Sequence, residues 1–520
     1  MKSRGLVAFL LALVLGCFVL FPSLVVAENK LVFGANGEAH SLHPYFITET
    51  PTNSVNQNMY DTLIFEDKNL NLVPSLAVKW EATDSTRWTF HLRKNVRFHD
   101  GTPFTAADVK FSVEHAAKWP KSMWQSTVSS IASTEIIDDH TVQFTTKKPF
   151  GIFPGMIAQL MIISKKYIEK HGAEYSYTKP IGTGPYKLKE WIKGDHLTLV
   201  VNEDHWRGVA SIKEVVIRPL SNNATRTAAL LSREVQLIED VPVLDVKRLK
   251  TIDTLDVISR SGLRCIYLAM DLVRAKSPKV KGKAGENPMT DVRVRKAMAM
   301  AIDEDAIIKH VMNGYAVSAS NMYPDVVFGY DPSIKRPPFD LERAGQLMKE
   351  AGYADGFSVT LDGTNDRYVN DSKIMQAVAV MLSKINIKVK VNARTKILFF
   401  PDAFKGSYSF HMVGWSCGPP DAIRLQGFMA HTQTKDLSYG KGNWVKYSNP
   451  KVDKYIEASD ATVDANERLK NLQAAQKIFL VEDQLFIPLH FQVDIYAKNK
   501  NLNWQVRPDH MLWYYAMSWK

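Results

Sequence analysis

Cysteine is scarce: the 520 residues hold three, Cys17, Cys265 and Cys417. None stands at the short spacing that a closed structural zinc site needs, so that class of fold is excluded. Long uncharged runs are missing once the first 27 residues are passed. No later stretch approaches the roughly 18 apolar residues that cross a bilayer. Catalytic signatures are missing as well: there is no H-E-x-x-H, no nucleophile elbow and no Cys-His arrangement. The glycine-rich "GTGP" (182–185) lacks the Gly-Lys-Ser/Thr and the helix start of a phosphate cradle, and reads as a turn. "FHDG" (98–101) is explained by the end of a hairpin, and "HSLH" (40–43) has no third metal ligand beside it. These absences leave an enzyme without positive evidence, and no cofactor or resident metal is expected.

The opening segment stands apart from the rest. Lys2 and Arg4 precede an uncharged run over 6–20, then Pro22 and the small-residue end Val25-Val26-Ala27. A basic start, an apolar middle and an A-x-A-like finish make residues 1–27 a secretory signal peptide, and the mature chain periplasmic. A second reading takes Val14-Leu15-Gly16-Cys17 as a lipobox with a lipid on Cys17, although the apolar run continues past it through Phe21. Processing after Ala27 lowers the formal charge from +11 to +9. That excess is dispersed; its densest group, Lys276, Lys279, Lys281 and Lys283, lies among Ser, Pro and Gly and reads as a solvated loop, not a nucleic-acid surface.

A chain of this length exceeds a single core, so two or more lobes are expected. "RWTFHLRKNVRFHDG" (87–101) alternates apolar and polar residues as a strand does, ending in a turn at Asp100-Gly101. Thr105 and Asp108 then form a capping-box pair ahead of a helix. "YKLKEWIKGDHLTLVVN" (186–202) reads as a hairpin turning at Gly194-Asp195. Helical periodicity covers 290–312, 340–353 and 465–483, with strand-like "QLFIPLHF" after the last, and 371–392 reads as a helix running into an alternating strand. Helices alternating with strands in both halves indicate an α/β protein with mixed sheets.

Several segments, taken in order, resemble one family. "RWTFHLRKNVRFHDGTPFTAADVKFSVE" (87–114), "PIGTGPYKLKEW" (180–191), "NEDHWRG" (202–208), "LLSREVQLIEDVP" (230–242), "DVRVRKAMAMAID" (291–303) and "AQKIFLVEDQLFIPLH" (475–490) are similar to the successive blocks of family 5 extracellular solute-binding proteins. These are the peptide-, opine- and nickel-type receptors of bacterial ABC importers. The resemblance implies a periplasmic-binding-protein fold: two α/β lobes closing on ligand around a hinge, with an extra domain inserted in the first. Lobe I takes 28–64, 181–264 and 485–520, the extra domain 65–180, and lobe II 265–484. It implies a monomer that captures an oligopeptide or similar amphipathic solute, performs no catalysis, and docks on an ABC permease served by ATPase subunits. Alternatives are a receptor for an opine, sugar or metal chelate (a nickel branch carried by His40, His43, His411 and His431), or a chaperone-like or chemosensory peptide-binding protein.

The resemblance also implies site residues. In peptide-binding relatives the loop after a Gly-Trp pair carries an aspartate for the peptide's ammonium group, since a buried charge needs a partner. Here Gly414-Trp415 is followed by Ser416, Cys417, Gly418, Pro419 and Pro420, and the nearest acid is Asp421. Asp421 either takes over that role or caps the next helix; Arg424 pairs with it or with a ligand carboxylate. Trp415 is expected on the cleft floor, with Tyr439, Asn443 and Trp444 beside it and Glu38, His40 and Tyr45 from lobe I. Finally, some relatives have a cysteine just after Gly-Trp and another in the strand where Cys265 stands, which implies a Cys265–Cys417 disulfide. Two buried thiols are the other reading.

Overall fold

The computed structural model describes residues 29–46, 49–418, 420–435 and 438–520; the signal-peptide and lipobox expectations lie outside the described residues. The molecule is built on one mixed sheet of 12 strands, with a separate four-stranded antiparallel sheet. Two long strands, Leu255–Met270 and Phe486–Asn499, run antiparallel side by side through the middle of the large sheet. They carry the chain between the two lobes.

That ladder shifts register at two places. Residues 255–261 pair with 493–499 and residues 265–269 with 486–491; the register shifts between Ile266 and Tyr267 and, with a gap, between Ser261 and Cys265. Gly262 occupies the gap, where a Cβ would lie 2.8 Å from a carboxylate oxygen of Asp494. Only glycine permits that approach. The core changes at the same place: Cys265, Leu268 and Phe491 belong to one apolar cluster, while Tyr496 belongs to a second. On the second strand the change falls between Phe491 and Ile495.

In the first lobe Lys30–Ala35 lies parallel to Glu214–Pro219 and Leu237–Ile238. The expected hairpin extends this sheet, with Tyr186–Ile192 and His196–Val201 turning at Gly194, φ 79°. The C-terminal segment returns here, since the Asn58 amide donates to Leu512 O at 2.8 Å and accepts from Tyr514 N at 2.9 Å. "GTGP" is a bend pressed against Met59, whose carbonyl would sit 2.0 Å from a Cβ at position 182. The inserted region holds the four-stranded sheet, in the order Ala77–Ala82, Arg87–Leu92, Thr141–Thr146, Ile131–Asp138. Its helix Ala106–Lys118 starts at the Thr105/Asp108 capping box.

Two local readings differ. The strand from 87 ends at Leu92, and Asn95 turns the chain with φ 62°, although Val96 and Phe98 remain buried. The helix expected over 290–312 breaks at Ile302–Asp303. Asp303 takes an extended conformation and its carboxylate accepts from Ala306 N at 2.9 Å, which starts a new N-terminus. Among the described residues no helix is long and apolar enough to cross a membrane.

Candidate ligand-binding cleft

Where the two long strands pass between the lobes, a cavity of about 1220 Å³ opens. Glu38, His40 and the helix Thr50–Asn56 help form one wall, and Arg264, Arg367, Tyr368, Lys396 and Ser416 another, with Gln492 and Asp494 between them.

The orientation of the second wall follows from strand register. Ser416 pairs with Arg264, Trp415 with Cys265, and Gly414 with Ile266. Successive side chains in a strand face opposite sides, so Ser416 and Arg264 reach the cleft while Trp415 turns away. The expectation that Trp415 floors the cleft is therefore corrected: its indole stacks on Phe428 inside the second lobe, centroids 4.7 Å apart. The glycine of the pair does the work at the cleft. A Cβ at 414 would come within 2.7 Å of Ile266 Cδ1, 2.8 Å of Tyr368 Cε1 and 3.0 Å of Arg264 Cδ. Its absence lets Tyr368 and Arg264 lie across the strand, and the Tyr368 hydroxyl donates to Gly414 O at 3.1 Å.

Two guanidinium groups flank Tyr368: Arg264 at 6.0 Å and Arg367 at 5.6 Å from the ring centroid. Among the described residues neither has an ion-pair partner. Burial, then the neighbouring Arg367, disfavours the charge on Arg264. The acids of the opposite wall are, by contrast, engaged. His510 Nδ1 is 3.1 Å from Asp494, and its Nε2 is 3.5 Å from Glu239 and 3.9 Å from Asp240. Burial alone would lower the imidazole's pKa, but Asp494, Glu239 and Asp240 hold it well above the ordinary value. The Arg507 fork grips Asp509 at 3.0 and 2.5 Å and donates to Glu66 O at 2.8 Å. Burial, helped by Asp509 and opposed by Arg507, pushes the Glu66 carboxyl up to about 8. Its Oε1 has no hydrogen-bond partner among the described residues.

The other expected site residues divide clearly. Glu38 and His40 line the cleft. Glu38 Oε1 accepts from Trp191 Nε1 at 3.0 Å and Gly194 N at 2.9 Å, while His40 is paired with Glu49. Tyr45 does not line it; fully buried, it donates to Met161 O at 2.6 Å. Asp421 is also withdrawn. It forms a 2.8 Å ion pair with Arg468 and accepts from Ile423 N at 3.1 Å, so it serves the start of the next helical turn. Burial pushes its carboxyl upward and Arg468 draws it back. Arg424 is exposed and outside the cavity lining. Tyr439 stacks on His431 and donates to Asp460 at 2.7 Å. Asn443 secures its own turn through His431 O and Tyr447, and Trp444 packs on Phe404 and His411. The second lobe's interior claims Asp421, Tyr439, Asn443 and Trp444, each filling a hydrogen-bonding or packing need there.

The disulfide expectation is likewise corrected, for both cysteines are buried thiols. Cys265 stands opposite Trp415, so Cys417 is its diagonal neighbour. Diagonal positions in an antiparallel pair lie about 7–8 Å apart, beyond ordinary disulfide reach. Cys417 Sγ is directed at Asp421 O, 3.2 Å away, and Cys265 Sγ at Asn321 O, 3.8 Å away. The four histidines of the nickel branch are also dispersed. His40 lines the cleft, His43 lies against Trp119, His411 against Trp444, and His431 against Tyr439.

Residues 71–436 match the model of bacterial extracellular solute-binding proteins, family 5 (middle region). The chain belongs to this family. Among relatives, it is 28% identical to the glutathione-binding protein GsiB of Salmonella choleraesuis over 501 residues, 94% of each chain. Of solved structures, it is similar to DppA, an ABC transporter-associated periplasmic binding protein of Helicobacter pylori in complex with the peptide STSA. The identity is 25%, the TM-score 0.76, and the coverage 94% of this chain and 98% of that one. HbpA2 of Haemophilus parasuis matches at 25% identity and a TM-score of 0.81, over 94% and 100%. These structures share the two-lobe binding-protein fold.

In this family 5 protein, the cleft residues that sequence reasoning missed are Arg264, Arg367, Tyr368, Gln492, Asp494 and His510. The available signal was the place of Arg264 at the expected first crossing. Arg367 and Tyr368, in "NDRY" (365–368), gave none.

Proposed function

We propose that this protein is the exported solute receptor of an ABC importer and holds a peptide-like solute in its cleft through a carboxylate. The observation that carries the reading is the pair of guanidinium groups astride Tyr368, neither in an ion pair among the described residues. An arginine fork matches a carboxylate in geometry and charge. Glutathione and the peptide STSA, named for two of the similar proteins, both end in carboxylates. The lobe boundaries we assign are the first crossing near Gly262 and the second near Gln492. Ligand held by Arg264 at the hinge and by residues of both walls favours the closed form, and closure is the signal for docking on the permease and its ATPase subunits. The receptor acts as a monomer and leaves its ligand chemically unchanged.

Calorimetric titration with glutathione and with tri- and tetrapeptides, each as free acid and as C-terminal amide, tests this. A charge-assisted hydrogen bond is worth about 1.5–3 kcal/mol, so amidation and Arg264→Ala each weaken binding by roughly tenfold or more. Equal binding of acid and amide refutes the carboxylate reading.

A further inference from the structure

A second concavity, of about 300 Å³, lies in the second lobe and shares no lining residue with the cleft. It is bounded by the helices Val292–Ala301 and Leu341–Glu350, by the turn Lys477–Glu482, and by the start of the strand Phe486–Asn499. Ala299, Met300, Ile334, Leu347, Leu480 and Ile487 make its walls apolar. Its ionisable lining residues are all cations: Lys296, Lys335, Arg336 and Arg343. The two arginines are committed. Arg336 pairs with Glu304 and donates to Pro488 O and Ile302 O, both at 2.9 Å, and Arg343 pairs with Glu350 at 3.0 Å. The two lysines have no ion-pair partner among the described residues.

An apolar slot with surplus positive charge and no acid complements an anion with a hydrocarbon body. We infer that the slot is a second binding site, for an aliphatic carboxylate whose head meets Lys296 and Lys335 and whose chain lies among Leu347, Leu480 and Ile487. Its size limits the chain. If a methylene takes about the room of a water, roughly 30 Å³, some ten carbons fill the slot. Each methylene buried before that point tightens binding by about fourfold.

The test is calorimetric titration of the mature protein with hexanoate, octanoate, decanoate and tetradecanoate, and with decyltrimethylammonium. Affinity is expected to climb with chain length to about ten carbons and then level off, with no binding of the cationic amphiphile. Lys335→Glu, at an exposed position, and the double variant Lys296→Glu with Lys335→Glu weaken decanoate binding by about tenfold or more. Arg264→Ala in the cleft leaves it where it was. Absence of saturable decanoate binding overturns the inference. So does equal binding of the cationic amphiphile, insensitivity to both lysine variants, or loss of binding in Arg264→Ala, which would move the acid into the cleft.

Discussion

Replacing Asp421 by alanine separates two roles that its position in the chain leaves open, ligand partner and interior counter-ion. In the structure its carboxylate and the Arg468 guanidinium meet at 2.8 Å, with side chains 11% and 7% exposed. The guanidinium also lies 5.0 Å from the centroid of Phe328, an apolar surface. Removing one member of a buried pair strands the other, at a cost of about 3–5 kcal/mol. The Ile423 amide loses its acceptor in the same change, worth about 1 kcal/mol more. The sum is a large share of the roughly 5–15 kcal/mol that holds a domain together. Urea unfolding followed by tryptophan fluorescence is therefore expected to show the second lobe strongly destabilised. The fraction still folded binds ligand with unchanged affinity. Asp421→Leu combined with Arg468→Met restores most of the loss, because an apolar pair of similar volume replaces a buried ion pair at little cost. The reasoning is refuted if Asp421→Ala leaves the urea midpoint in place and lowers ligand affinity tenfold.

In protein lacking residues 1–27, Cys265 and Cys417 are expected to resist a thiol reagent while folded, since burial pushes Cys417 up to about 12 and Cys265 well above its ordinary value. Both react in non-reducing denaturant, and a count of zero thiols there contradicts the structure. Glu66 sets a pH dependence. Folding raises its pKa from 4.5 to about 8, so the folded chain keeps a proton that the unfolded chain releases. This group makes stability fall as pH rises from about 4.5 to about 8, by about 1.4 kcal/mol per unit. His510, also raised, adds to the fall only above its unfolded value of 6.5, as pH climbs toward its folded pKa. Glu66→Gln is expected to flatten the lower part of the profile in thermal melts; an unchanged slope there counts against the assignment.

What the sequence revealed was local. The Thr105/Asp108 box closes within three residues, and the Gly194 turn within one hairpin, so both are visible to periodicity and turn chemistry. The block order revealed the family and, with it, the two lobes. Trp415 was misplaced because its direction depends on which residue of a strand 150 positions away stands opposite it, and a shift of one register position would have turned it into the cleft. Arg264 and Arg367 were overlooked for a related reason. An arginine without a counter-ion looks like any other until the surrounding surface is assembled. Asp421, which local reasoning left between two roles, was decided by Arg468, whose approach no nearby residue announces.

The return of the C-terminal segment to the first lobe has a consequence for synthesis. On the lobe boundaries proposed above, every strand of the second lobe lies between the two crossings, so a ribosome completes that lobe before it makes the residues that finish the first. Until Leu512 and Tyr514 emerge, Asn58 lacks the backbone partners that close the first lobe around it. A chain cut short by its last 15 residues therefore carries a finished second lobe beside an open first one. The two halves of the cleft are assembled in the reverse of the order in which they are encoded.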